Sequence, residues 1–328
     1  MKAAICTQYG ESDAIEVQDM PKPTPKKGEV LIKVMASSCT AADNMMRQGK
    51  PYFGRLFLGL TKPKHPITGT GFAGVIEELG EQVELFKVHD EVFGESVFGA
   101  GSNAEYLCVP QDALMLHKPN NISFEEAAPI CDGALTSLNF LKDVANLQVG
   151  QRILINGASG SLGCAAVQLA KYYGAHVTGV CSTKNIDLVK SLGADEVIDY
   201  TQQNFESITD HFHVIYDTVG KRSFKACQAA LKDQGQFISP VLSLGLLMQV
   251  LKTGLFSALN KGKKAKFSAT GIRPPKELRP LLQELLSVID QGAFTTNIDK
   301  RFALDDIQAA HEYVATGHKI GNIVIIPS

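Results

Sequence analysis

Residues Ile153 to Gly163 read ILINGASGSLG, an apolar run that turns abruptly into very small side chains. Within it, Ala158-Ser159-Gly160-Ser161-Leu162-Gly163 has the spacing A-x-G-x-x-G. Such a stretch does its chemistry through the backbone. Little bulk at Ala158 permits a tight turn. Gly160 lets the main chain approach a pyrophosphate closely, and Gly163 lets the next helix pack on the preceding strand. The N–H groups and positive helix end at Ser159, Ser161 and Leu162 then hold phosphates. The spacing alone is a weak signal, because Gly-rich turns also serve plain packing.

A second strand, HVTGVCS, ends in Ser182-Thr183-Lys184-Asn185. An NAD-binding chain places Asp or Glu there to hold the ribose hydroxyls. Hydroxyls and one cation suit a 2′-phosphate instead, which points to NADPH, although Ser and Thr also serve as plain helix caps. Asp132 lies in the apolar context PICDGALTSL. Buried, it would have a raised pKa and act as a proton relay. It would equally cap the helix ALTSLNFLKDV, and the cap is the preferred role. His65, His211 and His213 have no partner ligands at useful spacing.

These residues need a scaffold. To about Asn121 the chain is strand-like: GEVLIKVMASS alternates, SNAEYLCVP and ALMLHKP are two more strands, and TAADNMMRQG is one short helix. Ser123 with Glu126 forms a capping box. From there strands RILIN, HVTGVCS, DEVIDY, HVIYDTVG and GQFISPV alternate with helices SLGCAAVQLAKYYG, KNIDLVKSLG and SFKACQAALKD. The alternation predicts an α/β fold, a doubly wound parallel sheet, beside a β-rich domain. Two helical stretches follow the loop GIRPPKELRP, and GNIVIIP closes the chain as a strand. The predicted boundaries are 1–121 with 271–328 for the β-rich domain and 122–270 for the parallel sheet.

Composition excludes several classes. A net charge of −2 over 328 residues gives no electrostatic footprint for nucleic acid. The 45% hydrophobic content allows a sizeable core. Seven scattered cysteines without a C-x-x-C pair, and no apolar signal region in MKAAICTQYG, predict a reducing, cytoplasmic setting. The greasy stretch from Phe237 is broken by Pro240, Gly245, Lys252 and Gly254, so it is expected to be core and packed helix rather than a membrane span.

The stretches VLIKVMASSCTAADNMMRQG, PITGTGFAGVIEELG, ILINGASGSLGCAAVQLAKYYGA, LGADEVIDY and YDTVG together resemble the medium-chain dehydrogenase/reductases over nearly the whole chain. They are most similar to the zinc-free, quinone-reductase-like branch. The resemblance implies a GroES-like catalytic domain and a Rossmann domain. The family's catalytic zinc ligands fall on Thr40, Thr70-Gly71 and Asp132, of which only Asp132 is a ligand type, and FGESVFGAGSNAEY lacks the cysteines of the structural zinc loop. No metal is expected. Without a Lewis acid, alcohol oxidation is difficult, whereas quinones and α,β-unsaturated carbonyls are already electrophilic. The implied activity is NADPH-dependent reduction of such compounds.

The resemblance also implies roles for individual residues. Tyr52, after Arg47-Gln48-Gly49, would polarise a carbonyl or donate a proton. Thr40 stands where quinone reductases often have Asn, Asp43 caps or orients its helix, and Phe72 walls the cleft. Thr136 lies against the nicotinamide or phosphates, and Tyr200 against the adenosine phosphate end. Thr218 and Val219 end the fourth strand, at the edge where ligands bind. Pro240 and Val241 pass near the carboxamide, and Asn322 replaces a Lys of many relatives. Leu242 to Leu259 lines or covers a pocket for a small hydrophobic substrate. A homodimer is expected. Two other readings stay open: an alcohol dehydrogenase with an atypical metal site, and a protein that binds NADPH without turnover.

Overall fold

The computed structural model describes residues 1–96, 101–255 and 262–327. The chain divides into two units. The first holds Met1–Asp132, Pro274–Leu286 and Thr295–Ser328, and the second holds Gly133–Arg273 and Ser287–Phe294. The boundary expected after Asn121 therefore lies further on. The capping-box helix stays with the first unit because Thr296 Oγ1 donates to the Glu126 carbonyl at 2.9 Å and Arg301 pairs with Glu125. Ser123 and Glu126 do form the box, each side chain bonded to the other's backbone N–H.

The second unit contains a parallel six-stranded sheet. Its order is Glu196–Asp199, His176–Cys181, Arg152–Asn156, Phe212–Asp217, Leu231–Ile238 and Lys264–Lys266. Its central strands Arg152–Asn156, His176–Cys181 and Phe212–Asp217 are mostly buried and rich in β-branched residues, as a sheet covered on both faces requires. Leu154, Val180, Ile215 and Phe237 pack with Phe212 and Phe224 in one cluster. The helix expected over SFKACQAALKD stops at Cys227. Leu231 is already paired with Phe212 in the next strand, so sheet pairing overrides helical propensity there.

The first unit is built on the long strand Glu29–Cys39, which pairs with Gly71–Leu79, Tyr106–Pro110 and Asn322–Ile326. Ile298–Ala303 adds a further strand beside Asn322–Ile326. Its sequence IDKRFA lacks apolar alternation, which hides it from pattern reading. The helix Ala41–Gln48 starts at Thr40 with a capping box completed by Asp43 and ends at Gly49 with φ +60°. That left-handed end is where glycine costs least.

The greasy stretch is not core throughout. It forms the helix Leu244–Leu255, burying Leu246 and Thr253. Leu244, Met248, Leu251 and Leu255 are exposed on its other face. Positions 256–259 of that stretch lie outside the described residues. No described helix is long and apolar enough to cross a membrane.

Candidate active site

The dinucleotide turn in the second unit follows the strand Arg152–Asn156 and opens the helix Ser161–Tyr172. The tight turn, expected at Ala158, falls one residue earlier. Gly157 has φ +82°, while Ala158 is fully buried. A Cβ on Gly163 would overlap the Gly157 carbonyl and the Ala158 backbone, so helix and strand meet there as the motif requires. Gly160 is different. A Cβ there meets only the Gly157 oxygen, at 3.4 Å, an ordinary contact. Packing does not demand a glycine at 160, and the space above it is open to a ligand. The first intrahelical bond runs from Cys164 N–H to the Gly160 carbonyl at 2.8 Å, so the preceding N–H groups point out of the helix end. The residues present thus fit a pyrophosphate.

Around this turn the expected cofactor residues are gathered unevenly. Ser159 Oγ accepts from Asn185 Nδ2 at 3.0 Å, tying the turn to the loop after the second strand. Ser182 is half-buried and Lys184 exposed. Thr183 is not an open ligand for phosphate. Its hydroxyl donates to Asp199 Oδ2 at 2.5 Å. The sequence suggested no carboxylate near this loop, yet strand register sets Asp199 beside Cys181 and brings one there. Hydrogen bonds from Thr183 and then Thr201 hold the Asp199 carboxyl below its usual range, so it is anionic. Tyr200 follows it and is exposed. Thr218 Oγ1 donates back to the Asn156 carbonyl at 2.7 Å, and Val219 N–H donates to Asp217. A Cβ on Gly220 would overlap Val241, so the ends of these two strands, with Pro240, lie together. Thr136 is half-buried at the start of Thr136–Asn139, next to Ser137, whose hydroxyl donates to the Leu162 carbonyl at 2.8 Å.

Asn322 sits in the first unit, where its side chain donates to the Asn297 carbonyl at 3.0 Å. Lys319 is the lysine of this region, and its charge acts on Asp132.

The first unit also carries a pocket whose lining includes Asp43, Arg47, Phe57, His65, Thr70 and Ser96. Tyr52 does not line it. That side chain is 70% exposed and stacks with Arg55, 5.0 Å from its ring centroid. Phe72 is fully buried in the core and is not among the residues lining this pocket. His65, expected as a plain loop histidine, stands at the pocket's wall.

Beside this pocket three carboxylates share one region. Asp43 is 2% exposed. Burial, then the charge of Asp132, pushes its carboxyl up to about 7, against the hydrogen bonds from Thr40. Burial, then Asp132 and Asp43, pushes Glu95 up to about 8. Burial lifts Asp132 to about 6, with Lys319 and a Thr40 hydrogen bond opposing. Asp132 is not a helix cap. It lies inside the wide-turn helical segment Ile130–Leu135. Sequence reading missed Asp43, Glu95 and Lys319 as members of this group, because they come from separate strands, helices and loops that only the fold brings together.

Thr40, Thr70, Gly71 and Asp132, at the family's zinc positions, do not fit a tetrahedral zinc, which needs about three ligand side chains. The Thr40 hydroxyl is bonded to Asp43, and Gly71 has no side chain to offer. Cys39 and Cys131 are buried thiols pushed well up by burial. Among the described residues no three His, Cys, Asp or Glu form a metal-binding group.

Comparison with known proteins agrees with this architecture. Residues 26–120 match the family model described as alcohol dehydrogenase GroES-like domain, and residues 192–325 the model described as zinc-binding dehydrogenase. The chain is 33% identical, over its whole length and 79% of the relative, to 2-methylene-furan-3-one reductase of Solanum lycopersicum. It is 32% identical to the chloroplastic quinone-oxidoreductase QR1 of Triphysaria versicolor, covering all of this chain and 98% of that one. The solved quinone oxidoreductase of Coxiella burnetii is 28% identical and superposes with a TM-score of 0.85, covering 99% of both chains. The chain belongs to the medium-chain dehydrogenase/reductase superfamily, among its quinone and enone oxidoreductases.

Proposed function

We propose that the protein is a zinc-independent, NADPH-dependent reductase of α,β-unsaturated carbonyl compounds or quinones. The carrying observation is the open cradle at Gly160, in a chain whose zinc positions hold Thr40, Thr70, Gly71 and Asp132. The names of relatives support the substrate class, one being an NADPH-dependent alkenal/one oxidoreductase of Arabidopsis thaliana. Bound NADPH supplies the hydride. The residues Ser159 to Gly163 hold its pyrophosphate, and Ser182 and Lys184 its 2′-phosphate. Thr136, Asn185, Tyr200, Thr218, Val219, Pro240 and Val241 complete the proposed cofactor contacts, and Thr183 and Asn322 would join them only by leaving their present partners, Asp199 and Asn297. Phe57, Leu58 and Ile67 give apolar lining to the pocket proposed for the acceptor. Thr40 and Asp132 handle the proton, and Tyr52, which is outside the pocket lining, would polarise the acceptor carbonyl only by turning inward. Seven free thiols support a reducing compartment such as the cytoplasm. The strand Lys264–Lys266 at the sheet edge supports a homodimer.

Consumption of NADPH with a pooled panel of quinones, enones and 2-alkenals tests the activity, and no consumption by a cofactor-loaded protein contradicts it. Two variants test the parts. Lys184→Ala removes a charge-assisted contact, so the Kd for NADPH should rise about tenfold while that for NADH stays put. Equal changes for both cofactors would remove Lys184 from the phosphate site. Tyr52→Phe should lower kcat/KM about tenfold at constant NADPH affinity if its hydroxyl polarises the acceptor. Unaltered kcat/KM would leave Tyr52 an exposed aromatic packed on Arg55.

A further inference from the structure

The wall of the first unit's pocket continues into a cluster of exposed apolar side chains. Leu56 and Phe57 are each 73% exposed and Leu60 68%, with Tyr52 and Phe53 exposed beside them. No other nine consecutive described residues expose as many large apolar side chains. A contiguous patch of this kind marks a place where something binds. Phe57 belongs to both features, because it is exposed and also lines the pocket, next to Leu58.

The turn that carries the cluster is pinned. Tyr9 Oη donates to the Gly59 carbonyl at 2.6 Å, and Lys64 N–H donates to the Leu58 carbonyl at 2.7 Å. Arg55 Nε donates to the Gly49 carbonyl at 3.1 Å, and its guanidinium packs on the rings of Tyr9 and Tyr52. At Gly59, with φ +121°, a Cβ would overlap the Lys62 carbonyl, so the chain closes there too tightly for a side chain.

The charge around the cluster has one sign. Residues 44–76 contain no Asp or Glu and five Lys or Arg, in a chain whose net charge is −2. Arg47 is buried and Arg55 is held by the tyrosines. Lys50, Lys62 and Lys64 are exposed and have no acidic partner among the described residues. The matching surface is therefore apolar at its centre and anionic around it. A second copy of the chain matches poorly, since two such faces brought together would set like charges against each other. An anionic bilayer matches both parts: leucines and rings enter the headgroup boundary, and lysines reach the phosphates around them.

We infer that residues 53–64 dock on the surface of an anionic phospholipid bilayer, and that a lipophilic acceptor passes from the bilayer along Phe57 and Leu58 into the pocket. The docking stands on this surface alone, and the passage of an acceptor rests on the reductase reading. The acceptor class such an entrance suits is a long-chain quinone or enal.

Flotation with vesicles of phosphatidylcholine alone, or of phosphatidylcholine with about a third phosphatidylserine, tests the docking. The unaltered protein should float with the anionic vesicles at low salt and be released at high salt. Leu56→Ser with Leu60→Ser should weaken binding by about tenfold or more, and Lys62→Ala with Lys64→Ala by about tenfold. Tm should hold for both pairs, because all four side chains are exposed. No flotation by the unaltered protein, or flotation that both pairs leave intact, would overturn the docking. Sedimentation is read alongside: a dimer that Leu56→Ser with Leu60→Ser dissociates, without vesicle binding, would overturn it in favour of a second copy.

Turnover tests the entrance. With a short, water-soluble enone, both pairs of variants should keep kcat/KM within about twofold, whereas with a long-chain quinone held in the anionic vesicles they should lose about tenfold. Equal losses on both acceptors would overturn the entrance and place these side chains in the site itself. Vesicle binding by an unaltered protein that reduces neither acceptor would contradict the reductase reading and support the docking alone.

Discussion

Gly160→Ala is expected to leave the fold intact and weaken NADPH binding by about tenfold to a hundredfold, while Gly163→Ala does the reverse in order of cause. At 160 the added methyl meets the protein only at 3.4 Å, so the apoprotein has room for it. The methyl projects into the space a pyrophosphate would use, at the cost of one or two charge-assisted bonds from the helix end, each about 1.5–3 kcal/mol. At 163 the methyl overlaps backbone atoms of Gly157 and Ala158, which cannot swing aside as a side chain does. Overpacking of this kind costs about 1–3 kcal/mol or more, a loss of several degrees in Tm. Tm measured with and without NADPH separates the two. Gly160→Ala should match the unaltered protein without cofactor and gain less from its addition. Gly163→Ala should melt lower in both conditions. A Gly160→Ala variant that binds NADPH normally would remove the turn from the cofactor site.

Glu95→Gln is expected to stabilise the protein at alkaline pH and to do little near pH 5. Glu95, Asp43 and Asp132 all have carboxyls raised above their unfolded values. Between the unfolded value and the folded one, the native chain holds protons that the unfolded chain releases. Stability is therefore greatest below the unfolded carboxyl range and falls as pH rises through it toward about 8 for Glu95. The amide removes that dependence at one position and relieves the charge on the other two. A gain of several degrees in Tm at pH 8.5 is expected, on the order of a few kcal/mol. The core histidine works the other way. Burial, with the Arg47 charge second, pushes His311 down to about 3. Its contribution is present above its unfolded value near 6.5 and is lost as pH falls below that. A Glu95→Gln effect equal at pH 5 and pH 8.5 would show that Glu95 is ionised and paired in the native state.

Much of the parallel sheet was legible because each strand and helix announces itself locally. Buried strands are short β-branched runs, and Gly174 and Gly193 stop two helices. The strand Ile298–Ala303 was not legible, since its charged residues alternate with nothing apolar and only pairing with Asn322–Ile326 defines it. The cofactor turn was legible as a motif, but not which glycine turns the chain, because only the fold places Thr218 and Val219 where a Cβ on Gly157 would meet them. Asp199 escaped notice because it lies sixteen residues from Thr183, and only strand register joins them. Asp43 was read as capping or orienting its helix; the cap is Thr40, and Asp43 completes the box from the third helical position. What the sequence could not convey is that its second oxygen is buried without a hydrogen-bond partner, and that Asp43 lines a pocket with Arg47 and His65.

The reductase assignment is tested most directly by following the hydride. Metal-stripped protein would be given NADPH deuterated at its transferring position and an α,β-unsaturated ketone, with the products read by mass spectrometry and NMR. The expected result is one oxidised cofactor per saturated ketone, with the deuterium on the former β-carbon. Cofactor that stays reduced, or that is oxidised only once zinc is restored, would contradict a zinc-independent enone reductase.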